Sequence, residues 1–316
     1  MGSGPGPLAS LHHTFVGGYL VHAALITPWI AGFVLYVGLA AWSTHSHFAG
    51  AALAALVSYE YGFPHKEWPE LRQLIKDLNP RCYFREQPQL ILPSKTLAQT
   101  KTMLCYHPHG ALTLGFSWNG AHAPELVEFD ATYLVHDTLF LLPLFGTVLR
   151  WLGNIKGASA GSMGKLMSAG RNVVIMPGGF EDATLLKYGV ERIYLRKRAG
   201  FIKFALRHGY KVHPVYTFGE SDTYVTFSKC IDFRLLLNKY KLPALVFWGN
   251  PVSPLLPRAD ARVLTVIGAA LDLPQIDEPT AGDVAKYHAL YVDALQALFE
   301  AHKVAAGKAG ETLEVW

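Results

Sequence analysis

Two histidines and a glycine at the end of an apolar run point most directly to chemistry in this sequence. The motif His107-Pro108-His109-Gly110 follows the apolar residues 102–106. A neutral imidazole, with an ordinary pKa of about 6.5, accepts a proton from a hydroxyl group near neutral pH, and Gly110 allows close approach to the backbone. Because clefts form where strands end in α/β folds, the motif predicts a site of proton transfer. In isolation, two solvated histidines in a turn would give the same pattern.

Two further segments place acidic residues directly after apolar runs. The segment Pro177-Gly178-Gly179-Phe180-Glu181 follows the run 172–176, and Phe218-Gly219-Glu220 follows the run 212–217. Paired glycines let backbone N–H groups face a ligand, and a neighbouring carboxylate can orient an imidazole or a substrate hydroxyl group. Taken alone, the Pro-Gly-Gly segment is more typical of a tight turn with an exposed acid, and Glu220 could line a cleft or close a turn. Several such strand ends in one sheet would instead form a shared cleft.

Basic residues are concentrated before and within a predicted helix over residues 200–208. They are Arg192, Arg196, Lys197, Arg198, Lys203 and Arg207. Guanidinium groups and a helix N-terminus both favour a bound phosphate, so the cluster is a candidate site for a phosphorylated ligand. The alternative is a charged face in contact with solvent.

Two other patterns suggest competing chemistry. Residues 157–161 match the Gly-x-Ser-x-Gly elbow of serine lipases, with Ser159 as the nucleophile. The elbow requires a strand directly before it, and the preceding residues 153–156 look loop-like, so we expect Ser159 to lie in a loop or at a helix N-cap. His107 and His109 have no third ligand at a zinc spacing, and we predict no metal site. No motif indicates nucleic-acid binding.

The composition is apolar for a soluble enzyme. Hydrophobic residues make up 51% and charged residues 16% of the 316 residues, and the mean hydropathy is +0.19. These values suggest membrane contact, and the net charge of +4 fits an anionic partner such as a lipid headgroup or a phosphorylated co-substrate. The three cysteines are far apart in sequence, which argues against a disulfide framework and favours a reducing, cytosolic environment.

The N-terminal region predicts a membrane anchor. No charged residue precedes Glu60, and the apolar run 15–42 exceeds the roughly 20 residues that cross a bilayer. A polar break and a second apolar run, 48–57, predict a hairpin. Basic residues follow it directly, which places the rest of the chain in the cytosol. We therefore divide the chain into a flexible tail (1–13), a membrane hairpin (14–63) and a cytosol-facing domain (64–316).

The rest of the chain alternates short apolar runs with amphipathic segments, as is typical of an α/β domain with a buried sheet and flanking helices. The predicted strands cover residues 102–106, 131–135, 172–176, 212–217 and 244–248. The predicted helices cover residues 161–169, 200–208 and 283–303. Thr280 and Asp283 predict a capping box at the start of the last helix.

Together the motifs resemble the diacylglycerol acyltransferase type 2 family, which includes monoacylglycerol acyltransferases and wax-ester synthases. The resemblance rests on Tyr106-His107-Pro108-His109-Gly110, Pro177-Gly178-Gly179-Phe180-Glu181, the block 198–220, Gly249-Asn250-Pro251-Val252 and the C-terminal residues 288–303. It implies a glycerolipid-acyltransferase-like mixed sheet behind the membrane-embedded hairpin. It also implies an enzyme of the endoplasmic reticulum membrane, with the lipid droplet surface as a second location that it allows.

The implied reaction is transfer of a fatty acyl group from acyl-CoA to diacylglycerol, giving triacylglycerol; monoacylglycerol and fatty alcohols stay open as acceptors. The resemblance implies acyl-CoA as co-substrate, no bound cofactor, contact with the bilayer, and no acyl-enzyme, and it leaves a homo-oligomer open. The resemblance implies His109 as general base, with His107 as the alternative base or a structural partner, and Glu181 as the group that orients the imidazole or stabilises its charged form. Groups for the oxyanion or acyl-CoA are expected from Gly110, Gly178, Gly179, Lys197, Arg198, Lys203 and Glu220.

Overall fold

The computed structural model describes residues 14–240 and 244–316, and the predicted tail over residues 1–13 lies outside them. Ten helices are present in the described residues: α1 Phe15–Ser43, α2 His47–Gly62, α3 Pro69–Leu78, α4 Leu114–Phe116, α5 Phe145–Leu152, α6 Ala160–Ser168, α7 Gly179–Leu185, α8 Gly200–His208, α9 Ile231–Lys239 and α10 Ala281–His302. Short 3₁₀ or π turns cover Pro80–Tyr83, Ser117–Ala121, Pro124–Leu126, Asp137–Leu141 and Glu220–Asp222.

The strands of the described residues form one large sheet and two small ones. They are β1 Gln89–Ile91, β2 Thr102–His107, β3 Ala131–Val135, β4 Ile155–Gly157, β5 Asn172–Ile175, β6 Arg192–Ile193, β7 Lys211–Phe218, β8 Val225–Thr226, β9 Phe247–Trp248, β10 Leu264–Ile267, β11 Leu271–Asp272 and β12 Glu314–Val315. The large sheet has the order β1-β10-β7-β2-β5-β3-β4, with β11 paired to β7. This architecture confirms the predicted mixed α/β fold.

Strands β7, β2, β5, β3 and β4 are mutually parallel, whereas β10 runs antiparallel to β7. All six residues of β2 are buried. Such a continuous apolar run is typical of a central parallel strand covered on both faces. The parallel arrangement places the carboxyl ends of β2, β5 and β7 at one edge of the sheet.

Each face of the sheet carries its own core because side chains alternate along a strand. Leu104 and Tyr106 of β2 belong to the core on one face, and Met103 and Cys105 to the core on the other. The second core is covered by α10, whose fully buried Tyr291, Leu295 and Phe299 recur at a spacing of one helical turn. The predicted capping box at Thr280 is confirmed: Thr280 Oγ1 accepts from Asp283 N at 3.1 Å, and Asp283 Oδ2 accepts from Thr280 N at 3.0 Å.

The two N-terminal helices form the predicted helical hairpin, joined by a short turn after Ser43. Among the described residues, α1 is the one helix long and apolar enough to cross a membrane. Its N-terminal part packs on the α/β domain, where an added Cβ at Gly18 would overlap the backbone of Tyr83. Val34 and Val37, further along, are exposed. These features suggest that α1 associates with a membrane.

The sheet differs from the predicted strands in two places. The predicted strand over residues 244–248 is reduced to β9, which pairs with β8 outside the large sheet. Residues 153–156, predicted as a loop, contain the start of β4, which pairs with β3 through the buried Ile155. Such short strands carry too few apolar residues to be recognised by periodicity, and long-range pairing decides them.

Candidate active site

The predicted cleft residues lie at one edge of the sheet. Strand β2 lies between β5 and β7, with Cys105 paired to Ile175 and Tyr106 to Val215. The segments that follow the three strands contain His109, the pair Gly178-Gly179, and Glu220. Their common edge follows from the parallel direction of the strands, as the sequence predicts.

His107 is directed into the core. Its side chain is fully buried, and Nε2 lies 3.0 Å from the hydroxyl oxygen of Tyr291 on α10. Burial lowers the pKa of His107 to about 3, so the ring is neutral near pH 7. This environment suits a histidine that links β2 to α10. The sequence missed Tyr291 as the partner because the two residues are 184 positions apart.

His109 is half-buried and has a different environment. Its Nδ1 lies 3.0 Å from the carbonyl oxygen of Gly110. A carbonyl oxygen only accepts, so Nδ1 carries the proton and donates it, and in the neutral ring Nε2 holds the lone pair. Burial lowers the pKa of His109 below its ordinary value, which keeps the ring neutral near pH 7. The arrangement therefore provides an imidazole nitrogen able to accept a proton.

Asp182 is the acid that contacts the His109 segment. One carboxylate oxygen accepts from the backbone N of His109 at 2.8 Å, and the other accepts from the backbone N of Tyr194 at 2.9 Å. The side chain is buried, which raises the pKa of Asp182 to about 7, although both N–H donors and Arg198 oppose this change. Gly178 makes room for it, because an added Cβ there would overlap Asp182.

Glu181 does not make the predicted contact with an imidazole in this structure. Its carboxylate pairs with the guanidinium of Arg198, and both side chains are partly exposed. Successive side chains on a helix point about 100° apart, and here Asp182 of α7 is buried whereas Glu181 is partly exposed. Asp182 was missed because two adjacent acids in sequence do not reveal which of them faces the sheet.

Arg198 lies beside the glycine pair. An added Cβ on Gly179 would be 3.8 Å from Arg198 Nη2. The guanidinium carbon is 5.7 Å from the centre of the Tyr194 ring. This position, next to the end of β5, keeps Arg198 a candidate for contact with an anionic ligand.

Glu220 stabilises the loop that follows His109 through hydrogen bonds to its backbone. It is almost fully buried, and its carboxylate accepts from the backbone N of Leu114 at 2.9 Å and of Gly115 at 2.7 Å. Gly110 has φ +66, and an added Cβ there would overlap the Glu220 carboxylate. Burial raises the pKa of Glu220 to about 7. In this structure the Glu220 carboxylate supports the loop and lies against Gly110, and its contact with acyl-CoA stays a prediction.

The basic cluster is divided between two tasks. Arg192 pairs with Glu314 at 2.8 Å, and Arg196 Nε donates to the carbonyl oxygen of Val315 at 2.8 Å. These contacts hold β12 against β6 and were not foreseen from the sequence. Lys197 and Lys203 are exposed. They and Arg198 are the members of the cluster best placed for a phosphorylated ligand.

Strand β4 ends two residues before Ser159, so the expectation of a loop before the Gly-x-Ser-x-Gly pattern is wrong; Ser159 nevertheless lacks the partners of a catalytic serine. It is exposed at the N-cap position of α6, as the sequence predicts, and its side chain makes no capping hydrogen bond. Within residues 14–240 and 244–316, no hydrogen bond joins it to a histidine or an acid. The same residues contain no group of three or more His, Cys, Asp or Glu side chains that could hold a metal ion.

Comparison with known proteins gives consistent matches. The family model described as Diacylglycerol acyltransferase matches residues 53–315. The chain is 30% identical to Diacylglycerol O-acyltransferase 2 of Dictyostelium discoideum over 276 residues, which are 81% of this chain and 83% of that protein. It is 34% identical to Acyl-CoA wax alcohol acyltransferase 1 of Mus musculus, covering 72% and 73%, and 31% identical to 2-acylglycerol O-acyltransferase 3 of Homo sapiens, covering 79% and 77%.

A solved structure, the 1-acyl-sn-glycerophosphate acyltransferase PlsC of Thermotoga maritima, aligns with a TM-score of 0.40 and 11% identity. The alignment covers 84% of this chain and 95% of that one.

Proposed function

Because this chain belongs to the diacylglycerol acyltransferase family, we propose that it transfers a fatty acyl group from acyl-CoA to the free hydroxyl group of diacylglycerol, with His109 as general base. The observation that carries the proposal is the hydrogen bond from His109 Nδ1 to the Gly110 carbonyl oxygen. It leaves Nε2 as the proton acceptor in a half-buried ring at the edge of the sheet. His107, fully buried against Tyr291, is the supporting residue.

The reaction proceeds by direct attack. The acceptor oxygen bonds to the thioester carbonyl carbon while its proton passes to Nε2 of His109, a contribution of about 10²–10⁴-fold in rate. The tetrahedral intermediate then collapses: the carbon–sulfur bond breaks, the new ester remains on the acceptor, and the CoA thiolate leaves and takes the proton from His109. A thiolate is a good leaving group, so the sequence of steps needs no acyl-enzyme.

Backbone N–H groups stabilise the negative charge of the intermediate in this proposal. The N–H of His109 is already bonded to Asp182, so the candidates are those of Gly110, Gly178 and Gly179. Loss of one such donor typically costs about 10²–10³-fold in rate. Asp182 acts as a positioning residue, because it fixes the backbone of His109 relative to the segment before Arg198.

In this proposal, the exposed basic side chains bind the CoA phosphates. Lys197 and Lys203 are exposed near the start of α8, and Arg198 is partly exposed beside Gly179. Arginine and lysine bind phosphate through charge-assisted hydrogen bonds. The helix α1 holds the enzyme at the membrane of the endoplasmic reticulum with the sheet edge in the cytosol, and the neutral lipid acceptor reaches the site from the bilayer.

The acceptor is tested by competition. Membranes that contain the enzyme are incubated with labelled acyl-CoA and equal amounts of diacylglycerol, monoacylglycerol and a fatty alcohol. Triacylglycerol as the main product supports the proposal, and wax ester or diacylglycerol as the main product contradicts it. Relatives named for each of the three acceptors make this comparison necessary.

The catalytic assignment is tested by three substitutions in the same assay. His109→Asn is expected to lower kcat by about 10²–10⁴-fold with normal thermal unfolding. His107→Asn is expected to act mainly on stability, and Ser159→Ala to leave acyl transfer unchanged. If Ser159→Ala alone abolished activity, and the protein hydrolysed esters without CoA, the assignment of His109 would be wrong.

A further inference from the structure

Helix α9 buries two polar side chains and exposes several large apolar ones; its Ile231, Leu235 and Leu237 are partly buried, and the charged Asp232 and Lys239 are exposed. Its inward face carries the buried Arg234 and Asn238, whereas the outward face carries Phe233, Leu236 and Tyr240, which are 60%, 44% and 72% exposed. The outward residues follow the i, i+3, i+7 spacing of one helical face. A helix on a water-soluble protein shows the opposite pattern, with its apolar stripe towards the core.

The inward contacts fix this orientation. Arg234 Nε donates to the carbonyl oxygen of Ala244 at 2.8 Å. Asn238 Nδ2 donates to Thr184 Oγ1 at 2.7 Å and to the carbonyl oxygen of Phe180 at 3.3 Å. Phe180 and Thr184 both belong to α7, the helix that carries Asp182. Rotation of α9 about its axis would break these three hydrogen bonds, so they favour the orientation in which the apolar face points outward.

Exposed apolar residues also lie on the paired strands β8 and β9, which precede and follow α9 in the chain. Val225 of β8 pairs with Trp248 of β9, and the backbone N of Phe227 donates to the carbonyl oxygen of Val246 at 2.9 Å. We use the term α9 surface for the exposed apolar residues Phe227, Phe233, Leu236, Tyr240, Val246 and Trp248. A clustered apolar area of this kind marks an interaction site, whereas single exposed apolar residues are normal.

The α9 surface is continuous with α1, the helix suited to cross a membrane. Trp29 of α1 stacks on Phe247 of β9, with ring centres 6.1 Å apart and planes within 13°. Phe247 alternates along its strand with the exposed Val246 and Trp248. The exposed Lys229 and Lys239 stand near the two ends of α9, where their cationic groups can meet phospholipid headgroups.

We infer that the α9 surface lies in the membrane interface and contacts phospholipid directly, as a second attachment beside α1. An apolar helical face with aromatic residues and flanking lysines is the composition of helices that lie in the plane of the headgroup region. The contact of α9 with α7 brings this attachment next to the segment that holds His109. The occupant is therefore the bilayer rather than a second protein.

The test places a fluorescent probe at two positions of similar exposure. In a Cys230→Ser background, whose other cysteines Cys82 and Cys105 are buried, an environment-sensitive label is attached to Leu236→Cys in one variant and Leu290→Cys in the other. Leu236 is 44% exposed on α9 and Leu290 is 47% exposed on α10. Each full-length protein is reconstituted in vesicles of phosphatidylcholine and phosphatidylserine.

The label at position 236 is expected to shift its emission to the blue, to lose emission when nitroxide-labelled lipid is added, and to resist quenching by aqueous iodide. The label at position 290 should respond only to iodide. Equal iodide quenching at both positions would overturn the inference. So would protection of position 236 that already exists in detergent and grows with protein concentration, because it would assign the surface to a second copy. The experiment measures the depth of the probe in the membrane, so its result does not depend on acyl-transfer activity.

Discussion

The two adjacent acids of α7 give the sharpest test of the site, because the sequence favours Glu181 and the structure favours Asp182. In the wild type, each carboxylate oxygen of Asp182 accepts from one backbone N–H group, that of His109 or that of Tyr194. In Asp182→Asn, one oxygen still accepts from one of these N–H groups, but the NH₂ group of the amide faces the other N–H group and cannot accept from it. The cost of such a buried mismatch is about 1–3 kcal/mol. If that cost falls on the position of His109 in the transition state, kcat should fall about 5- to 150-fold.

The matched control is Glu181→Gln, which removes the ion pair with Arg198. Both side chains of that pair are partly exposed, and such pairs contribute about 0–1 kcal/mol. We therefore expect less than about a fivefold change in rate, seen mainly in KM for acyl-CoA because Arg198 is a proposed phosphate ligand. Both variants are measured in reconstituted vesicles with labelled acyl-CoA, and thermal unfolding is recorded for each.

A loss of kcat in Asp182→Asn with little change in KM for acyl-CoA would support its positioning role. Wild-type kcat in Asp182→Asn together with a large loss in Glu181→Gln would refute the reasoning. Glu181 would then act on the imidazole in a conformation in which it is not paired with Arg198.

Three further predictions follow from the same sheet edge. Gly110→Ala should destabilise the fold and abolish acyl transfer, because φ is +66 and the added methyl group overlaps Glu220, whereas Gly161→Ala, where a Cβ meets nothing within 4 Å, should match the wild type in thermal unfolding and activity. Glu220 has a pKa raised by burial from 4.5 to about 7. Its stabilising contribution is full below pH 4.5 and is lost as the pH rises through about 7, so the stability of the wild type relative to Glu220→Gln should fall across this window by at most about 3 kcal/mol. Equal pH profiles of unfolding for the two proteins would contradict this. The double variant Lys197→Ala and Lys203→Ala should raise KM for acyl-CoA and weaken its dependence on salt without lowering kcat; an unchanged KM at low salt would remove both lysines from the phosphate site.

Local sequence patterns predicted the elements that carry the site. The apolar runs that become β2, β3, β5 and β7 were recognisable, and so were α8 and the capping box of α10, because periodicity and capping depend on neighbouring residues. The two-residue strand β9 and the three-residue edge strand β4 were predicted wrongly. Their pairing partners are distant in sequence, and strands of two or three residues are too short to show a hydrophobic period.

The separate roles of the two histidines and of the basic residues became evident only from the tertiary structure. The motif His107-Pro108-His109-Gly110 offers two similar imidazoles, and only the packing of α10 buries His107 against Tyr291. The basic cluster also looked uniform in sequence, yet Arg192 and Arg196 serve the C-terminal strand. Contacts of this kind join residues that are more than a hundred positions apart, so no local pattern encodes them.

The sequence by itself determined that the chain has an apolar N-terminal hairpin without charged residues before Glu60, a buried sheet and polar residues after three of its strands, because hydrophobic periodicity fixes which segments are buried. Only the tertiary structure decided that Asp182 rather than Glu181 holds the His109 segment and that the apolar face of α9 points outward. The physical reason is the rotation of each helix about its axis. That rotation is set by which polar groups find hydrogen-bond partners in the folded protein, a property of the whole packing arrangement.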